Sequence, residues 1–191
     1  MLGEHGRRYL GRFGGMIIEW NRCEKYARQI ANCVAGENTQ SFALTAGLSA
    51  MSLVSMLRLL SATLPSGEYR GHVEHVAEYL DRLRLHRNHL CHGLAGVLDP
   101  IDPADPENAR GLIDVVQSRN GKVTIEVDFV DERALIEVTR WCELGHDYIR
   151  WVALAFDSAG APRRGSESLG APVEKPSLPP RRQSSRWDWL G

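Results

Sequence analysis

Met16, Trp20, Cys23, Ala27, Ile30 and Val34 recur at alternating steps of four and three. That spacing lines one face of an α-helix and fits neither a strand nor a loop. Gly36 and Asn38 then offer a stop. A second segment, from about Ser41 to Leu64, is apolar nearly all round through Leu44, Leu48, Met51, Leu53, Val54, Met56, Leu57 and Leu60, the pattern of a helix surrounded by others. Pro65-Ser66-Gly67 ends it. The third runs from about Gly71 to His92 or a little beyond, with a stripe of Val73, Val76, Leu80, Leu83, Leu90 and Leu94 broken only at Arg87. The fourth, capped by Asp131, carries Leu135, Val138, Cys142, Ile149, Val152 and Phe156, and Gly145 fills its missing step, permitting close approach by another element.

Between the third and fourth helices the pattern changes. Asp99-Pro100-Ile101-Asp102-Pro103-Ala104-Asp105-Pro106 reads as a stiff acidic loop, because each Pro biases the Asp before it away from helix. Two β-prone runs follow, Leu112 to Arg119 and Lys122 to Val130, separated by Asn120-Gly121, the dipeptide suited to a two-residue hairpin turn. The expected fold is therefore mainly α: an up-and-down four-helix bundle with an inserted β-hairpin between the third and fourth main helices, spanning residues 1–157. Residues 158–191 are rich in Pro, Ser, Gly and Arg and too poor in apolar side chains to offset the entropy of ordering. They are expected to form a disordered Pro/Arg-rich tail, in which Trp187, Trp189 and Leu190 are able to anchor on a partner or on the protein's own surface.

Charge narrows the function classes. The 191 residues carry a formal charge of -1, but the tail holds six basic against three acidic residues, leaving Met1 to Asp157 with 17 basic against 21 acidic, a balance of -4. A body of that sign lacks the broad basic footprint of non-specific nucleic-acid binders, and no DNA footprint is visible, so any nucleic-acid contact is local. Cys23, Cys33, Cys91 and Cys142 form no CxxC pair. With no secretory signal and no membrane span, that predicts a cytoplasmic, reducing home. No Walker loop, GxGxxG or GxSxG is present, and no cofactor is expected. His86, His89 and His92 step by three, but His86 and His92 then lie roughly 120° apart on a helix, so no metal site is expected.

Arg87 lies inside the apolar band of the third helix, which is roughly 100° wide. Burying an unpaired guanidinium costs several kcal/mol by order of magnitude, so that position needs a partner, an interface or a ligand. Asn88 borders the stripe and His92 follows just before Gly93. In one reading Arg87 pairs with Glu19, Glu137 or Glu143 on a neighbouring helix. In the other, Arg87, Asn88 and His92 converge on a phosphate, which suits the Arg fork, beside an imidazole able to move a proton near neutral pH. Three Arg-x4-His spacings occur, Arg70 with His75, Arg84 with His89 and Arg87 with His92, and only in the last is Asn the residue after Arg.

The stretch Arg87-Asn88-His89-Leu90-Cys91-His92-Gly93 resembles the signature of HEPN (higher eukaryote and prokaryote nucleotide-binding) domains. An opening helix beginning Gly11-Arg12-Phe13 and containing Glu19-Trp20-Asn21, then a buried helix, the motif helix, a hairpin and a closing helix, resemble bacterial HEPN-like proteins over roughly residues 10–157. The resemblance implies a metal-independent endoribonuclease of toxin or defence type, acting as a homodimer and held in check by a cognate antitoxin protein. Two Arg87-His92 sets would share one cleft on an RNA substrate. Arg87 would neutralise the scissile phosphate, His92 would assist attack by the 2′-hydroxyl or protonate the leaving oxygen, and Asn88 would orient phosphate or imidazole. The resemblance equally admits a non-catalytic nucleotide-binding or protein-interaction module. Asp99, Asp102, Asp105 and Glu107 would repel RNA unless they point away.

Overall fold

A computed structural model describes residues 4–92, 94–97, 110–119, 122–155 and 174–181, and among these the architecture is mainly α. The first helix, α1 (Glu4–Val34), starts seven residues before Gly11. Its stripe is the heart of the core, with Met16, Trp20, Cys23, Ala27 and Ile30 each at most 1% exposed. It stops where Gly36 takes a φ of +96°, a conformation that costs a residue without Cβ little. There the Glu37 N–H donates to Asn32 O at 2.8 Å and the Gly36 N–H to Cys33 O at 3.1 Å, the bond pair of a Schellman end. Asn38 then caps α2 (Thr39–Ala46), its side chain accepting from the Ser41 N–H while the Ser41 hydroxyl accepts from the Asn38 N–H.

The one helix expected over 41–64 is two. Gly47 closes α2, and Ser49, whose hydroxyl accepts from the Ser52 N–H, opens α3 (Ala50–Thr63). Arg28 from α1 caps the break by donating to Thr45 O and, at 2.8 Å, to Leu48 O. Nor is this stretch surrounded: Phe42, Leu44, Met51 and Leu59 are 50–72% exposed, while Leu53, Val54 and Leu57 face the core.

Side-chain pairs fix how the long helices run. Cys23 Sγ donates to Cys142 O at 3.1 Å and the Tyr26 ring lies beside His146, so α1 is parallel to α5 (Glu132–Ala155). His72 meets Trp151 and His86 meets Trp141, so α4 (Glu68–His92) is antiparallel to α5. Gly145 does admit a close neighbour, the ring of Tyr79, whose hydroxyl donates to Trp141 O at 2.7 Å. Burial pushes the Cys23 and Cys142 thiols and the Tyr79 and Tyr148 phenols up, keeping the core uncharged. No helix among the described residues is long and apolar enough to cross a membrane.

Where the sequence predicts an inserted hairpin, the chain has a three-stranded antiparallel sheet in the order β1-β2-β3. Leu94, read as the last step of the α4 stripe, opens β1 (Leu94–Val97) instead, since α4 ends at His92. Strand β2 (Arg110–Arg119) pairs with β3 (Lys122–Asp131) from Arg110 opposite Asp131 to Arg119 opposite Lys122. Asp131, expected to cap the last helix, closes β3, and α5 begins with Glu132. Asn120-Gly121, the acidic loop through Asp99, Asp102, Asp105 and Glu107, and Phe156 lie outside the described residues.

Residues 174–181 depart from the expected disordered tail. Leu178 packs on the helical core and Pro179 is buried. Composition undervalues this segment because its three prolines have φ preset and carry no N–H, so ordering it costs less entropy and fewer partners than its polarity suggests. Residues 158–173 and 182–191, with Trp187 and Trp189, lie outside the described residues.

Candidate functional site

Arg87 sits where the stripe places it. Leu83 and Leu90, one turn to either side, are 0% exposed, whereas Arg87 is half-buried between them. Its Cζ lies 5.9 Å from the centroid of Trp20 on α1, within cation–π range. Nη1 donates to Asn88 Oδ1 at 3.1 Å. Nε is buried and has no hydrogen-bond partner among the described residues. None of the three carboxylates considered as partners is joined to it among those residues, and Glu19 is taken by Arg22 at 2.6 Å. A guanidinium on a wall of apolar side chains, with one donor unanswered and no carboxylate paired to it among the described residues, is chemically prepared for an anion.

The other motif residues divide. Asn88, half-buried, uses its carboxamide oxygen to hold the Arg87 fork. His92 ends α4 and its side chain lies outside the described residues. Between them, burial pushes the Cys91 thiol up while the charge on Arg87 pulls it down, so the thiol stays protonated and is a poor nucleophile at neutral pH. His86 turns to Trp141 on α5, with ring centroids 5.0 Å apart. Among the described residues no group of three His, Cys, Asp or Glu side chains is placed to hold a metal.

A second basic cluster escaped the sequence reading. Glu132, the first residue of α5 and 3% exposed, accepts from Arg8 at 2.8–3.0 Å and from Arg12. With Arg133 and Ile136 they line one small pocket, in which two guanidinium groups meet one carboxylate. Glu132 also complements the positive end of the α5 dipole. Arg8 and Arg12 stand one turn apart on α1, a spacing visible in the sequence, but their partner lies 120 or more positions away. Because α1 and α5 both begin where α4 ends, Arg12 lies eight residues, or about 12 Å of helix rise, beyond the level of Trp20 and Arg87. His92 ends α4 between the two levels, five residues past Arg87.

No protein-family model, curated protein or solved structure matches the chain.

Proposed function

We propose that the chain is a HEPN-like, metal-independent endoribonuclease of toxin or defence type, cleaving RNA at Arg87 and His92 in a cleft between two copies. The observation that carries this reading is the Arg87 guanidinium, half-buried against Trp20 with a buried Nε that has no partner among the described residues. A phosphate oxygen answers that donor in the bidentate geometry guanidinium favours. The Arg87-Asn88-His92 resemblance supplies the reaction, its independence of metal, the RNA substrate, the homodimer and a cognate antitoxin.

In that reaction the 2′-oxygen attacks phosphorus as the bond to the 5′-oxygen breaks, leaving a 2′,3′-cyclic phosphate and a 5′-hydroxyl. Arg87 stabilises the charge that builds on the non-bridging oxygens. His92 takes the 2′-hydroxyl proton or delivers one to the leaving oxygen. Asn88 keeps the guanidinium aimed. Arg8, Arg12 and Arg133, farther along the same end, attract the neighbouring backbone electrostatically, a local footprint on an acidic body.

A non-catalytic module remains the second reading, favoured by one contact: the Asn88 oxygen is already spent on Arg87. The two are separated by incubating the purified chain with RNA in EDTA. Cleavage that falls about 10²–10³-fold in Arg87→Ala and about 10²–10⁴-fold in His92→Ala is the expected result. Cleavage indifferent to both substitutions removes the site, and no cleavage by the unaltered chain favours the module.

A further inference from the structure

His75, Arg82 and His86 stand seven and four residues apart on α4, within roughly 40° of one another around the helix axis. Each donates to a proline carbonyl of the segment laid along them: His75 Nε2 to Pro176 O at 3.0 Å, Arg82 Nη1 to Pro179 O at 3.1 Å and His86 Nε2 to Pro180 O at 2.9 Å. Proline has no N–H, so its carbonyl is the only backbone group that needs an answer, and the helix supplies donors alone. Between these bonds Leu178 packs on the core and Pro179 is buried. At the far end Arg181 reaches Glu78 at 3.1 Å, and this contact with Arg82 holds the Glu78 carboxyl below its ordinary range.

The lengths agree as well. Residues before proline favour extended backbone, and four residues of polyproline-type chain span about 12 Å. The eleven residues from His75 to His86 rise about 16 Å, a difference that the side chains bridge. Extended proline-rich peptides are recognised as preformed, low-entropy segments, and here three proline carbonyls, one apolar side chain and one cation are each met by a partner on the helical body.

We propose that this face of α4 is a binding site for an extended proline-rich peptide ending in a cation, and that Pro176–Arg181 of this chain is its resident ligand, held in cis. The eighteen residues between Ala155 and Glu174 would span about 60 Å if fully extended, enough chain to reach this face. Its occupancy rests on the contacts and on the covalent attachment that makes binding intramolecular.

The test uses the full-length chain carrying Leu178→Asp and Arg181→Glu, which ejects the resident segment, and a fluorescein-labelled peptide with the sequence of residues 174–183. Saturable anisotropy on the ejected chain, competed by unlabelled peptide but not by peptide bearing the same two substitutions, is the expected result. The unaltered chain should bind the peptide at least about tenfold more weakly, because its site is filled. Adding Glu78→Arg to the ejected chain should weaken the native peptide and favour one carrying Arg181→Glu. If circular dichroism shows the double variant unfolded, Arg181→Glu alone replaces it. A folded, ejected chain with no saturable binding, or equal binding to ejected and unaltered chains, overturns the proposal. Neither result bears on RNA cleavage, which is read separately.

Discussion

A methyl group on Gly145 would stand 2.5 Å from the Tyr79 ring, and the ring is not free to withdraw because its hydroxyl is bonded to Trp141 O. Better helix propensity gives Gly145→Ala up to about 1 kcal/mol, whereas overpacking costs about 1–3 kcal/mol. Urea denaturation should therefore show a net loss of about 1–2 kcal/mol. At Arg87 the balance runs the other way. Losing the Trp20 contact costs about 0.5–1 kcal/mol, but Arg87→Leu also removes a buried unanswered donor and a poorly solvated charge, a penalty of about 1–3 kcal/mol. That variant should melt higher than the unaltered chain by roughly 1 kcal/mol of stability and, if the proposed function holds, lose RNA cleavage. His75 adds a pH dependence. Burial, with Lys175, His72 and Arg82 acting in the same direction and the Pro176 bond opposing, holds its imidazole below the ordinary 6.5. The native chain then binds this proton less well than the unfolded chain, so the stability is whole above pH 6.5 and declines as pH falls through that value toward the depressed one. His75→Gln keeps a donor without a proton to gain, and the urea midpoint should fall less between about pH 7 and 5.

Among the elements, α1 carries a reserve. Gly14 and Gly15 lie inside it, and a Cβ at either meets nothing within 4 Å. Replacing each by Ala should add about 0.5–1 kcal/mol, measurable as a higher thermal midpoint. The same helix shows how much of the fold was legible. Periodicity located the buried faces of α1, α4 and α5, and Gly36-Asn38 marked a true stop, because these signals are local. The break at Gly47 was hidden inside an uncharged run whose apolar pattern continues through it. The turn of Leu94 into a strand was invisible because a single leucine fits either period. Arg87 stood out as a charge in an apolar stripe. The Arg8 and Arg12 cluster did not, since its buried carboxylate comes from α5. The docking of 174–181 was equally silent, because His75, Arg82 and His86 acquire meaning only once proline carbonyls arrive from a hundred residues away.

The whole molecule carries a formal charge of -1, with Arg8, Arg12 and Arg133 lining one small pocket beside Glu132. Under the proposed function, RNA binding should respond weakly to salt, with few phosphates engaged. Arg133→Ala, at an exposed position lining the Glu132 pocket, should reduce the slope of log affinity against log salt by about 0.7, without moving the melting temperature. Filter binding across a salt series measures it. The parallel packing of α1 on α5 joins residues such as Cys23 and Cys142, 119 positions apart. A ribosome adding about 5–20 residues per second thus leaves the greasy flank of α1 waiting on the order of ten seconds for its cover. During that interval the newborn chain is a natural client for holding chaperones, and a stall before α5 emerges would strand an aggregation-prone fragment.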